Sequence, residues 1–379
     1  MKITHLEAYA VSCPVPPAAQ VSLGIGRTLK RDAVLLKVTT ESGLIGWGEA
    51  HAGRAPSVIA ELINATLAPL VVGESASDIQ GLWTRIYRLQ LASHGTGAAA
   101  AMALSGLDMA LWDLRGKAAG KPLYEVLGGT RQALRAYAGG ISFGYGPTEQ
   151  LVDEALGAQS AGYRALKLRL GMDRLTDVAR LQAVRAALGP TVELLTDANC
   201  AYSLEDARYV RAALDELGAG WLEEPFSAHD FLAYRALAPH GRTPLAAGEN
   251  HFLVAAFERL ADDGVVRVWQ PDLSKCGGIS EALRIAAVAQ AHGIQLHLHT
   301  SVTGLNVAAS LHFLSALSNP GYFEADYSTG NRLRTHLCAP LSGVSEAGNF
   351  LPPTGPGLGV SIDAAQLSDY PVLRGVGYR

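Results

Sequence analysis

Three acids, Asp197, Glu223 and Glu249, recur at intervals of 26 residues. Each lies at the end of a short apolar run, in VELLTD, AGWLEE and PLAAGE. Carboxylates that converge repel one another, and their pKa values rise unless a cation joins them. A hard ion with oxygen ligands meets that need, and Mg²⁺ suits a few carboxylates completed by water and substrate oxygens. A single acid in such a place more often caps the helix that follows. Three in register argue for a shared ion. Glu224, beside Glu223, is expected to face away or toward the rim.

A second pattern precedes them. The run ALKLRL carries Lys167 and Arg169 two residues apart. On a strand they share a face, roughly 7 Å from each other. Buried cations need an anion opposite. Lysine is scarce in this chain, with 7 against 24 arginines, so each one retained is informative. Later runs end in Asp272 (WQPD), His299 (LHLHT) and Glu324 (YFEAD). An Asp one strand before a His can accept one imidazole N–H, fix the tautomer and stabilise the imidazolium. His297 shares the face of His299 and reads as deeper packing or a partner of His299, not as a zinc ligand.

These residues need a scaffold that brings strand ends together. From residue 134 onward eight short apolar runs alternate with helical segments: LRAYAGG, ALKLRL, VELLTD, AGWLEE, PLAAGE, VRVWQPD, IQLHLH and GYFEAD. That rhythm predicts an α/β chain built on a (β/α)8 TIM-type barrel, with chemistry at the C-terminal ends of its strands. Residues 1–128 read differently: alternating runs up to about 46, then helical periodicity ending at Gly128–Gly129. The expected organisation is an α+β capping domain over 1–128, the barrel over 129–345, and a C-terminal segment over 346–379 that returns to the cap. The Pro/Gly-rich stretch between the first two runs, including GIGRTLKR, reads as a mobile lid and not as a phosphate loop, because no helix follows it.

The bulk properties exclude several classes. The chain has 379 residues, 49 % hydrophobic and 17 % charged, with net charge −4, an ordinary globular composition without a nucleic-acid footprint. No apolar run approaches the length of a membrane span. The opening MKITHLEAYAV lacks a sustained apolar core, and Cys13, Cys200, Cys276 and Cys338 form no C-x-x-C pair. Reduced thiols and a cytoplasmic location are therefore expected. A homo-oligomer, from dimer to octamer, is expected too. Neither nucleic acid nor membrane is expected as a partner.

Taken together, D-A-N, E-E-P, G-E-N, P-D-x-x-K-x-G-G and the later His resemble the enolase superfamily, mandelate racemase subgroup, over nearly the whole chain. The resemblance implies that Asp197, Glu223 and Glu249 bind Mg²⁺, and that loops around 16–30 and 47–55 close over the barrel and set specificity. It places Asp272 and His299 as an acid/base dyad, Lys167 as the electrophile to a substrate carboxylate, and Glu324 among the catalytic residues. Arg169 departs from the family's K-x-K, whose second Lys is a base. Arginine stays protonated, so Arg169 reads as a clamp on substrate and His299 as the main acid/base. His51, Ser142, Tyr145, Asn199 and Lys275 complete the expected substrate contacts.

The implied chemistry is proton abstraction α to a carboxylate through an enediolate, stabilised by Mg²⁺ and fixed cations. Dehydration of an acid sugar (aldonate or aldarate) comes first, because one His can take the α-proton and then protonate the leaving β-hydroxyl. A sugar-acid lactone cycloisomerase of the galactarolactone type is next. A racemase or epimerase of a 2-hydroxy acid is third, since racemisation normally needs bases on both faces. A non-catalytic sugar-acid binding protein on the same barrel is the rival of another class.

Overall fold

The computed structural model describes residues 1–300, 302–338 and 341–379. Near the N-terminus, Ile3–Pro14, Lys30–Thr40 and Ile45–Ala50 form an antiparallel sheet with Lys30–Thr40 in the middle. Val34, Leu35, Leu36 and Val38 of that central strand are all fully buried, so both its faces are covered. Much of one cover is the helix Ala98–Ala119, almost wholly buried from Ala100 to Leu114. Two glycines of IGWGEA let it approach. A Cβ on Gly48 would stand 2.1 Å from the Gly106 carbonyl oxygen, and one on Gly46 would stand 2.3 Å from that of Ala110.

The barrel follows. Parallel strands Leu134–Gly139, Ala165–Arg169, Glu193–Asp197, Leu222–Glu223, Leu245–Ala247 and Val266–Trp269 are joined in order. The seventh position is held by bridges, Trp269 to Leu296, Asp272 to His299 and Leu298 to Phe323, all parallel. The eighth strand, Phe323–Asp326, pairs with Ala136–Gly139 and closes the ring. Helices such as Thr148–Ser160, Arg174–Leu188 and Leu204–Leu217 wrap the outside. The eighth strand is followed directly by the four-residue helix Arg332–Thr335.

Inside the ring, side chains stack in layers, as two-residue alternation along each strand requires. Tyr137, Ala165, Leu195, Trp221, Ala246 and Tyr322 form an apolar floor. Two residues further along the strands stand Lys167, Asp197, Glu223 and Glu324, all within 1 % of full burial. The alternation thus turns from apolar to charged within one residue pair of the strand ends.

Two connections fix cap to barrel. After the sixth strand, the Gly277 amide in the loop donates to Ser105 Oγ (2.8 Å) and the Ser280 amide, in the first turn of the helix Ile279–Ala291, donates to Asp108 (2.8 Å); both acceptors are on the long cap helix. The segment expected to be a mobile lid forms a small hairpin, Ser22–Leu23 with Gly26–Arg27. It is held by Tyr145 N donating to Ser22 O (2.7 Å), and by Arg27 N donating to Arg379 O (2.7 Å). The returning C-terminal segment first adds Asn349–Phe350 antiparallel to the first barrel strand, and then runs along the cap.

Candidate active site

A cavity of about 230 Å³ opens where the cap meets the strand ends. Its barrel side is walled by Arg169, Asn199, Glu224, Glu249, Lys275 and His299. Its cap side carries Leu23, Ile25, Arg31, His51 and Arg54. The two segments expected to cover the barrel, around 16–30 and 47–55, therefore both reach the cavity.

Lys167 and Arg169 do share a face, but they work at different depths. Lys167 is fully buried below the cavity, 2.9 Å from Glu223 Oε1, 3.0 Å from Glu324 Oε1 and 3.6 Å from Asp197 Oδ2. The anions opposite Lys167 in this structure are thus the protein's own. Burial works against its charge, yet Glu223 and Glu324 more than offset this and hold the ammonium well above its usual range. Arg169 lies one layer higher. It pairs with Asp197, donates to Asn199 Oδ1 (3.2 Å) and reaches the Gly140 carbonyl. Burial again disfavours its charge and the surrounding acids, Asp197 foremost, outweigh it, so the guanidinium has no tendency to act as a base.

Each of the three spaced acids is engaged by cations or amides. Asp197 accepts from the Asn199 amide (2.8 Å) as well as from Arg169. Glu223 also accepts from Gln270 Nε2 (2.7 Å) and Trp221 Nε1 (3.2 Å). Glu249 lies 3.0 Å from His299 Nε2, 3.6 Å from Lys275 Nζ and 3.2 Å from Asn250 Nδ2. Among the described residues, no three His, Cys, Asp or Glu side chains meet in a geometry that would hold one ion. The donor chemistry nevertheless fits a hard cation: every donor is a carboxylate oxygen, and the acids oppose one another's charge. Burial, then the charge of Asp197, pushes Glu223 up to about 7. Added positive charge would relieve that repulsion.

Glu224 departs from the expected orientation. Its φ of 35° breaks the strand alternation just past the strand end, and its buried side chain turns onto the cavity wall. There it accepts two contacts from Asn250 Nδ2, at 2.8 and 3.1 Å. Burial, then Glu249 and Asp197, drive its pKa well above the usual carboxylate range. Asn250 and Glu224 are cavity residues that sequence reasoning missed. The doubled acid in WLEEP was the one available signal.

The expected dyad is formed. His299 Nδ1 lies 2.7 Å from Asp272 Oδ2, on the neighbouring strand. Asp272 Oδ1 accepts from Ser274 N (2.7 Å), Ser274 Oγ (2.7 Å) and Asn306 Nδ2 (2.8 Å). Burial would raise Asp272, but His299 and Lys275 pull it well below the usual range. Burial opposes charge on His299, but Glu249 and Glu324 together with Asp272 push its pKa well above the usual imidazole range.

The remaining expectations divide by position. Lys275, Asn199 and His51 reach the cavity. His51 accepts from the Gly53 amide through Nδ1 (3.0 Å), and burial, then Lys275, lowers it to about 3, so it is neutral. Ser142 and Tyr145 do not line the cavity. Ser142 turns back to the Gly139 carbonyl (2.6 Å), and the Tyr145 hydroxyl donates to the Leu170 carbonyl (2.7 Å). Both serve the loop after the first strand. Glu324 is fully buried below the cavity with Lys167, and also accepts from the Gly140 amide (3.0 Å). His297 accepts from the Tyr322 amide (3.0 Å) and packs edge-on against Trp221, the deeper packing role expected of it. All four cysteines are free, and no helix among the described residues is long and apolar enough to cross a membrane.

Comparison with known proteins agrees with this arrangement. Residues 6–128 match the mandelate racemase/muconate lactonizing enzyme N-terminal domain, and residues 150–366 match the enolase C-terminal domain-like family. A D-galactarolactone cycloisomerase from Agrobacterium fabrum is 31 % identical over 97 % of this chain and 97 % of its own. A D-galactonate dehydratase from Verminephrobacter eiseniae is 34 % identical over 96 % of this chain and 93 % of its own. Among solved structures, an enolase superfamily member from Polaromonas sp. JS666 superposes with TM-score 0.97, 49 % identity and 100 % of both chains covered. A racemase from Streptomyces coelicolor A3(2), solved with bound magnesium, superposes with TM-score 0.89 at 26 % identity, over 98 % of this chain and 100 % of its own. With both halves matched and the strand-end acids in place, the chain belongs to the mandelate racemase/muconate lactonizing enzyme family of the enolase superfamily.

Proposed function

We propose that this chain is a Mg²⁺-dependent enzyme that removes the proton α to a carboxylate and dehydrates an acid sugar. The observation that carries the reading is the asymmetry of the cavity. On the seventh-strand side it presents His299, an imidazole held by Asp272; on the second-strand side it presents only the Arg169 guanidinium. One acid/base group suits elimination. The dehydratase among the relatives supports the same choice.

Asp197, Glu223 and Glu249 would hold the ion, which supplies Lewis-acid stabilisation of charge on the substrate carboxylate. Arg169 and Lys275 orient the substrate. Lys167, charged and desolvated beneath them, adds a fixed positive field where negative charge grows. Glu249 would be taken up in holding the ion, and His299, through Nε2, is the residue that takes the α-proton. The C–H pair passes into an enediolate. The same Nε2–H then protonates the β-hydroxyl as the C–O bond breaks, water leaves, and the resulting enol tautomerises to the 2-oxo-3-deoxy acid. Asp272 stabilises the imidazolium between the two transfers.

The galactarolactone-type cycloisomerase is the second reading, favoured by the Agrobacterium relative, and it uses the same first step. A panel of aldonates, aldarates and their lactones, incubated with Mg²⁺ and followed for 2-oxo acid formation, separates the two. Ring-opening or ring-closure without loss of water would replace the dehydratase reading. No turnover and no solvent exchange at Cα with any member would leave a sugar-acid binding protein.

A further inference from the structure

The cavity has a second cationic end, and the reaction just described does not use it. Arg31, near the start of the cap strand Lys30–Thr40, is 8 % exposed and lines the cavity. Its Nη2 donates to Ser328 Oγ (3.0 Å), and its buried Nε has no hydrogen-bond partner among the described residues. Buried guanidinium donors are seldom left unsatisfied. Arg54, from the loop after Ile45–Ala50, also lines the cavity and stacks over the Tyr378 ring, 5.4 Å from its centroid. The other charges at this end are matched among themselves. Lys30 lies 3.1 Å from Asp32 and donates to the Leu373 carbonyl (2.6 Å), while Asp326 is paired with Arg334. Asp326 feels the charge of Arg31 as well, but Arg334 acts on it more strongly. Two cations, Arg31 and Arg54, remain in excess.

Tyr378 lines the cavity together with Arg31, Arg54 and Arg169. Gly377 and Arg379, on either side of it, are hydrogen-bonded into the segment Arg27–Leu29. That pairing holds the second cationic end in place.

We propose that Arg31, with Arg54, forms a distal anion subsite that takes the second carboxylate of a sugar diacid. The substrate is then an open-chain aldarate, and not an aldonate. This rests on the acid-sugar reading above and narrows it. An aldonate would put a neutral hydroxymethyl group against Arg31 and leave its guanidinium charge without an anionic partner from the substrate. A site built for a charged hydrogen bond discriminates strongly against a ligand that lacks it.

The test compares an aldarate with the aldonate of the same stereochemistry across a panel of isomers. It measures kcat/KM with Mg²⁺, α-proton exchange in D₂O, and binding by calorimetry. Wild type is expected to favour the aldarate by at least about a hundredfold, a margin of roughly 2.7 kcal/mol. In Arg31→Gln the loss on the aldarate should exceed the loss on the aldonate by at least tenfold, mainly in KM. Arg31→Lys should recover part of it, because it keeps the charge but not the fork. Arg54→Gln, on an exposed loop, guards against misfolding of the buried variant and should move selectivity in the same direction. Equal losses on both acids, or an aldonate preferred by wild type, overturns the subsite while leaving the enediolate reading intact. Absence of exchange with every acid defeats that reading instead. The calorimetric preference then still decides the subsite: retained in wild type and lost in Arg31→Gln supports it, and no preference overturns it.

Discussion

Asp272 grips His299 with one carboxylate oxygen, 2.7 Å from Nδ1, and spends the other on Ser274 and on Asn306 at 2.8 Å. Asn306 belongs to the helix Gly304–Ala316, whose N-terminal amides meet Glu49 of the cap. The orientation of His299 is therefore set through a chain of contacts that crosses from cap to barrel. His299→Asn should abolish α-proton exchange while ligand binding measured by calorimetry changes little. Asn306→Ala removes one of the groups that fix the carboxylate. It should lower kcat by about tenfold with KM nearly unchanged, in line with other groups that orient a ligand from behind. A KM effect alone would mean that Asn306 only shapes the cavity.

Glu223→Gln separates charge from shape. The substitution keeps volume, and Lys167 retains Glu324 at 3.0 Å, so the barrel should stay folded by circular dichroism. Mg²⁺-dependent turnover should fall by at least about a hundredfold, because an amide is a poor ligand for a hard cation. Turnover close to wild type in chelator-treated buffer would remove Glu223 from the metal site. Zinc bound at His297 and His299 would do the same for the whole oxygen-ligand set.

The barrel was legible because its signals are local and periodic. Asp197, Glu223 and Glu249 are separated by one strand–helix unit each, and two-residue alternation carries Leu195 and Trp221 inward beneath Asp197 and Glu223. Depth was not legible. Alternation says that Lys167 and Arg169 share a face, but only the packed ring shows that one lies under the cavity floor and the other on its wall. Glu224 escaped because a left-handed residue just past a strand end reverses the expected side, and nothing in WLEEP announces a φ of 35°. Ser142 and Tyr145 were placed near the substrate by loop position, whereas their hydroxyls close on backbone carbonyls of their own surroundings. Arg31, Arg54 and Tyr378 come together from distant parts of the chain, and no spacing rule joins them.

The clamp between cap helix and barrel loop predicts a pH dependence of stability. Burial raises Asp108 to about 7, against which the hydrogen bonds from Ser280 and Ile279 work only in part. Its Oδ1 has no partner among the described residues. The folded pKa lies above the unfolded value of about 3.9. This group's contribution is therefore fully present below about pH 4 and is lost as pH rises through about 7. Asp108→Asn removes the titration and still offers an acceptor to the Ser280 amide. Thermal melts should show a flatter decline from pH 5 to 8 in the variant, with the variant the more stable of the two at pH 8. An unchanged slope would show that Asp108 stays ionised throughout.

On the proposed reading, Arg169 decides how many faces of the α-carbon are open to chemistry. Its guanidinium is held protonated by Asp197 and the other acids, so it offers no lone pair at neutral pH. His299, across the cavity, is the only group of the expected pair able to exchange a proton with Cα. Deuterium from D₂O should therefore enter one α-epimer of the substrate and not the other. Arg169→Lys places a shorter amine on the same wall, still beside Asp197 and Asn199, and an ammonium can lose its proton where a guanidinium cannot. That variant should begin to exchange the second epimer, at a rate still below that of wild type on the first. The readout is the isotope content of each epimer by NMR over the same time course. If wild type already exchanges both epimers at comparable rates, a base exists on the second-strand side despite Arg169. The reaction would then be a racemisation or epimerisation, and elimination would lose its claim on the site.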